Sequence, residues 1–131
     1  MAAPNILNLN TATGKTTALT PGGTSAVVLL RNPASSGLVL KVNSLVASNL
    51  SGSSSIPATV SYYTNGGVAQ GSAPSGGTAF SLVTAAVIPA TASLIVIDKT
   101  TEYYLEENTS LVVTSGTGSS MTFSVSYEEL S

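Results

Sequence analysis

Met121-Thr122-Phe123-Ser124-Val125-Ser126-Tyr127-Glu128 alternates a large apolar or aromatic residue with a hydroxyl or carboxylate at every step. Successive side chains of a β-strand leave opposite faces, so this stretch predicts a strand with one face in a core and the other toward solvent. Leu38, Leu40 and Val42 alternate with Val39, Lys41 and Asn43 in the same way, and the phase slips at Leu45-Val46, where a bulge or bend is expected. Phe80, Leu82, Thr84, Ala86 and Ile88 form a third one-sided series, to be ended by Pro89, which has no N–H for a ladder bond. The continuous runs Val27-Val28-Leu29-Leu30, Leu94-Ile95-Val96-Ile97 and Leu111-Val112-Val113 predict strands covered on both faces, in a core or at a subunit contact.

Between these runs the chain is punctuated by turn residues. Its 21 Ser, 17 Thr, 12 Gly and 6 Pro interrupt each apolar run before a helical period can develop. Asn65-Gly66, after Val60-Ser61-Tyr62-Tyr63-Thr64, is the preferred dipeptide of a type I′ hairpin because both residues tolerate positive φ. Residues 51–77 are the richest in Gly, Ser and Pro, so a long loop or projecting hairpin is expected there. The spacing predicts an all-β chain, a single antiparallel β-sandwich or jelly roll of seven to nine strands over residues 1–131.

Composition excludes most common chemistry. With 131 residues the chain holds one core, and it has no His, Cys or Trp. A Ser/His/Asp triad, a thiolate nucleophile, a His or Cys zinc site and a disulfide framework are therefore all ruled out. Lys15, Arg31, Lys41 and Lys99 are the only basic residues against a net charge of −2, too few for a phosphate-binding patch, so no nucleic-acid partner is expected. Apolar runs such as Ala85-Ala86-Val87-Ile88 and Leu94-Ile95-Val96-Ile97 stop at four residues, whereas a membrane helix needs about 20. The opening Met1-Ala2-Ala3-Pro4-Asn5-Ile6 has neither the basic nor the apolar part of a secretion signal, and no export is expected.

The remaining motifs read more simply as structure. Gly14-Lys15-Thr16 resembles the end of a phosphate-binding loop, but the glycine required at position 9 is Leu9. Asn49-Leu50-Ser51 and Asn108-Thr109-Ser110 match the N-glycosylation acceptor, a pattern expected by chance in a Ser/Thr-rich chain. All six acids lie between Asp98 and Glu129, so the first 97 residues carry +3 and the last 34 carry −5. Their spacing is not that of a calcium loop, and a solvated acidic rim including Glu106 and Glu107 is expected, with no metal or other cofactor. Tyr62 and Tyr63 fit core or interface packing better than a sugar platform.

Only 8% of residues are charged, whereas isolated domains usually keep roughly 25 to 35% charged residues at the surface. Burial in an assembly explains the deficit, because hydroxyls cost less to desolvate than charges. Val39 and Val83, expected on the outer faces of their strands, are candidate interface positions together with Tyr62, Tyr63, Glu106 and Glu107.

Val87-Ile88-Pro89-Ala90, Leu94-Ile95-Val96-Ile97-Asp98-Lys99, Tyr104-Leu105-Glu106-Glu107, Ser110-Leu111 and Val125-Ser126-Tyr127-Glu128-Glu129 together resemble small virion structural proteins of tailed bacteriophages, especially those of cyanobacteria. The opening Met1 to Ile6 and Val39 to Leu45 are similar as well. Asn108 stands where the pattern has glycine after the paired glutamates, and it too can adopt a left-handed turn. The stretch from Gly66 to Gly77 departs from the pattern. The resemblance implies a non-enzymatic virion subunit made in the host cytoplasm. The leading expectation is a capsid decoration or cement protein, often a trimer, bound to the major capsid protein and to copies of itself. A neck, tail or fibre-associated protein is the alternative, and a surface carbohydrate-binding module the second.

Overall fold

The computed structural model describes residues 4–131. They form nine strands: β1 (Ala12–Leu19), β2 (Val27–Asn32), β3 (Val39–Asn49), β4 (Ile56–Tyr63), β5 (Ala79–Ile88), β6 (Ser93–Ile97), β7 (Tyr103–Leu105), β8 (Thr109–Ser115) and β9 (Met121–Leu130). Among the described residues no helix is long and apolar enough to cross a membrane. One antiparallel sheet runs β1-β9-β3-β6, with β7 also paired to β3, and the other runs β2-β8-β4-β5. This is a β-sandwich, with its strand count at the upper end of the expected range.

The core lies between the sheets. Leu40, Val42, Leu45, Ala47, Phe123, Val125, Ile97 and Leu105 of the first sheet pack with Leu29, Ile56, Val60, Ile88, Leu111 and Val113 of the second. In β9 the alternation read from the sequence holds: Met121, Phe123 and Val125 are buried while Thr122, Ser124 and Ser126 are half-exposed. In β3 the phase slips as expected. Val42 faces Tyr127 and Ser44 faces Ser126, leaving Asn43 as an extra residue against β9, and a second register shift falls at Leu45/Val46 against β6. The slip lets even positions 40 and 42 and odd positions 45 and 47 all reach one core.

Runs read as doubly covered divide by position in the sheet. β8 is buried from Thr109 to Val113, and Val28, Leu29 and Leu30 of β2 are buried too. β6 is an edge strand, and Ile95 is 64% exposed, so its outer face is uncovered. The series in β5 also departs from expectation. Ile88 is buried, but Phe80 is 57% exposed. Register shifts at Ala58/Val60 and Val60/Ser61 place extra β5 residues against β4 and break the period-two phase that the sequence displays.

Two buried asparagines link loops and strands. Asn32 donates from Nδ2 to the Leu38 carbonyl at 2.8 Å and the Leu105 carbonyl at 2.9 Å. Asn49 donates to the carbonyls of Ser54 (2.8 Å), Ile88 (2.9 Å) and Pro89 (3.2 Å) and accepts from the Ser51 N–H. Among the described residues no buried side-chain nitrogen or oxygen lacks a partner, as a folded interior requires.

The Gly/Ser/Pro-rich region resolves into three parts: a short link before β4, the central strand β4 itself, and a loop at 64–78. Asn65-Gly66 forms no type I′ turn, since neither residue has positive φ. Asn65 instead donates to the Ser75 carbonyl at 2.6 Å, and the Gly66 N–H donates to Asn108 Oδ1 at 3.1 Å. A Cβ on Gly66 would lie 2.1 Å from the Asn32 carbonyl oxygen, so only glycine allows this approach. Asn108 sits at φ 62°, a left-handed conformation that asparagine can adopt. The loop does not project. It lies over the second sheet, where Val68 packs on a small outer cluster of Val28, Tyr63 and Val112.

Candidate interface surface

The outer face of the first sheet is assembled row by row from strand register. Thr16, Ser126 and Ser44 form one row across β1, β9 and β3. Ala18, Ser124, Val46 and Ile95 form the next, extending onto β6. Thr122, Ser48 and Ser93 follow, with a hydrogen bond between the Ser48 and Ser93 hydroxyls at 3.1 Å and one between Thr20 and Thr122 at 2.8 Å. These rows contain no charged residue. Charge returns only at one end, where Gly14, Glu128, Lys41 and Tyr104 share a row. There Lys41 Nζ lies 3.5 Å from Glu102, and Asn43 donates to Glu128 at 3.3 Å.

Two hydroxyl pairs already satisfy each other across strands, and a face without charges can be covered without stranding an ion. The sequence marks Thr122, Ser124 and Ser126 as outward. It does not reveal that Thr16, Ser44 and Ser93 stand beside them, because that juxtaposition depends on which strands pair.

The six candidate interface residues are scattered. Val39 pairs with Leu130 and is only 6% exposed, so the position expected to be free is enclosed by the chain itself. Val83 is half-buried in the bulged part of edge strand β5. Tyr62 is half-buried against the main core, opposite Phe80 on β5. Tyr63 is buried under the 64–78 loop, and its hydroxyl accepts from the Gly77 N–H at 3.0 Å. Glu106 and Glu107 lie between β7 and β8, Glu106 exposed and Glu107 half-exposed, and the Glu106 carbonyl accepts from the Thr109 hydroxyl.

The acids do not gather at one point: among the described residues no three acidic side chains are close enough to hold a metal ion. Asp98 accepts from the backbone and hydroxyls of Thr100 and Thr101, and these bonds hold its carboxyl below the ordinary value. Lys15 lies 2.9 Å from Glu129, and this hydrogen-bonded pair raises the lysine above its ordinary value. Burial raises the Tyr127 hydroxyl, and the Glu129 charge adds to the effect.

A cleft of about 180 Å³ lies between Thr17, Leu29, Leu30, Arg31, Gln70 and Tyr127, where β1 and β2 border the open side of the sandwich. Gln70 fills part of it, donating to the Thr17 hydroxyl and the Leu29 carbonyl. The Arg31 guanidinium donates to the Gly67 carbonyl at 3.3 Å. The cleft therefore joins a loop to three strands, β1, β2 and β9, and presents one cation with no carboxylate among its lining residues. No protein-family model, curated protein or solved structure matches the chain.

Proposed function

We propose that the chain is a non-enzymatic structural subunit of a tailed-bacteriophage virion, a decoration or cement protein seated over contacts between major capsid proteins. The observation that carries the proposal is the charge-free, hydroxyl-rich outer face of the first sheet, with Val46 within it and the exposed Ile95 at its β6 edge. A face of this kind suits a permanent contact made by shape, apolar area and neutral hydrogen bonds. The scarcity of charge over the whole chain supports the same reading, as do the similar motifs from Val87 to Glu129.

Quantitative mass spectrometry of purified virions from a phage encoding the chain tests it. Copies in stoichiometric proportion to the major capsid protein are expected. A copy number fitting a single ring would move the subunit to the neck or tail, and absence from the particle would overturn the proposal. Attachment should resist moderate salt, because little counterion release accompanies a neutral contact, and free glycans should not displace it. Val46→Asp should weaken attachment, since it would bury an unpaired charge within the face.

A further inference from the structure

The two sheets have four edges, and three are closed. At β2 the 64–78 loop supplies the missing bonds: the Val28 N–H donates to the Ser72 carbonyl at 3.0 Å, and the Gly71 N–H to the Val28 carbonyl at 2.8 Å. At β5 two register shifts and Ala85 at φ 46° distort the edge, and Pro89 follows it. The edge beyond β3 is divided between the five residues of β6 and the three of β7, with a further register shift. Bulges, short strands and covering loops are the devices by which sheets refuse further strands.

β1 has none of these protections. Its eight residues run in unbroken register with β9, from Ala12 opposite Leu130 to Leu19 opposite Phe123. Thr11 and Ser131 exchange both backbone hydrogen bonds at 3.0 Å, which sets the phase: odd-numbered backbone groups of β1 point at β9. Those of Ala12, Gly14, Thr16 and Ala18 point outward. All four residues are exposed, and no described residue pairs with them on that side.

We propose that β1 pairs antiparallel with β1 of a second copy about a two-fold axis at Thr16, joining the two first sheets into one. An isologous edge contact needs hydrogen-bonding groups that match themselves, and the even positions of β1 supply them. Inner-facing odd residues must lie opposite odd residues, so the registers that overlap β1 most fully are centred on Lys15 or Thr16. Centring on Lys15 sets two ammonium groups directly opposite, which is unfavourable. Centring on Thr16 sets Lys15 against the partner's Thr17, Gly14 against the partner's Ala18, and Thr16 against the partner's Thr16. In this arrangement the start of one β1 lies beside the end of the other. Ile6 and Leu7, 51% and 92% exposed just before β1, then have a neighbouring copy to cover them. The pairing stands independently of the particle in which the chain acts.

Sedimentation equilibrium of the full chain should show a concentration-dependent dimer. Hydrogen exchange at the Gly14, Thr16 and Ala18 amides should slow at high concentration and recover on dilution. The chain has no cysteine, so Thr16→Cys should give a disulfide-linked dimer under mild oxidation, whereas Ala12→Cys should not. Thr16→Pro removes an outward N–H without removing a bond to β9, and should weaken the dimer about tenfold or more with an unchanged circular dichroism spectrum. If the proline variant does not fold, the cysteine pair decides. A chain that stays monomeric at millimolar concentration, a trimer, equal cross-linking from positions 12 and 16, or a dimer in which these amides exchange as in the monomer would overturn the proposal.

Discussion

Asn49 holds three carbonyls that belong to two separate loops and the end of β5, and it does so from a site only 4% exposed. Asn49→Ala would leave those acceptors without a donor, and each unsatisfied buried group costs about 1–3 kcal/mol. We expect a loss of about 2–4 kcal/mol in urea unfolding, with the fold retained. Asn32 offers a test with a pH signature. In Asn32→Asp the carboxylate would face the Leu38 and Leu105 carbonyl oxygens, so its folded pKa would rise above the unfolded value. Stability then falls as pH rises from below the ordinary aspartate range through the raised value, the reverse of an acid held in an ion pair. Unfolding curves collected from pH 3 to 7 check the sign. A rise in stability over that range would show that the site had rearranged to supply donors.

The elements respond according to where their side chains lie rather than how apolar their sequences read. Phe123, the third residue of β9, is fully buried, and Phe123→Ala should cost about 3–5 kcal/mol. Phe80 looks equally committed in sequence, yet Phe80→Ser should change stability by less than about 1 kcal/mol, because the ring is already 57% exposed. Paired chemical denaturation curves separate the two. Gly66→Ala would drive a Cβ into the Asn32 and Thr109 carbonyls and lift the 64–78 loop. Faster proteolysis within that loop and loss of amide protection at Val28 should follow. The same contrast explains what the sequence could convey. The β9 alternation and the slip in β3 are local patterns and are legible in order along the chain. The fate of Asn65-Gly66 depends on Asn32 and Asn108, far away in sequence, and the exposure of Phe80 depends on bulges against β4. Val39 misleads for a related reason: alternation gives its face but not the burial of that face. The candidate interface was legible as a deficit of charge, but its location was not, since its rows come from four strands.

Over the whole molecule, ionic interactions are few and mostly near solvent. The described residues hold two ion pairs, Lys15 with Glu129 and Lys41 with Glu102, both partly exposed. Melting temperature should therefore vary little with added salt, and Glu106→Gln with Glu107→Gln should leave it nearly unchanged, within about 1 kcal/mol in stability. Alkali should matter more. Lys15 and Tyr127 both titrate above their ordinary values in the folded chain. Their contribution is present below the unfolded values and declines as pH rises through the folded ones, so a series from pH 8 to 12 should show stability falling at the upper end. The pairing of β1 with β9 also sets an order of events. Residue 12 meets residue 130, and β3 takes β9 as a neighbour, so the first sheet cannot close while the last strand is still being synthesised. A nascent chain halted before Met121 would carry β1 without its partner and β3 open along one side. It would need shelter from aggregation during translation that the finished sandwich does not.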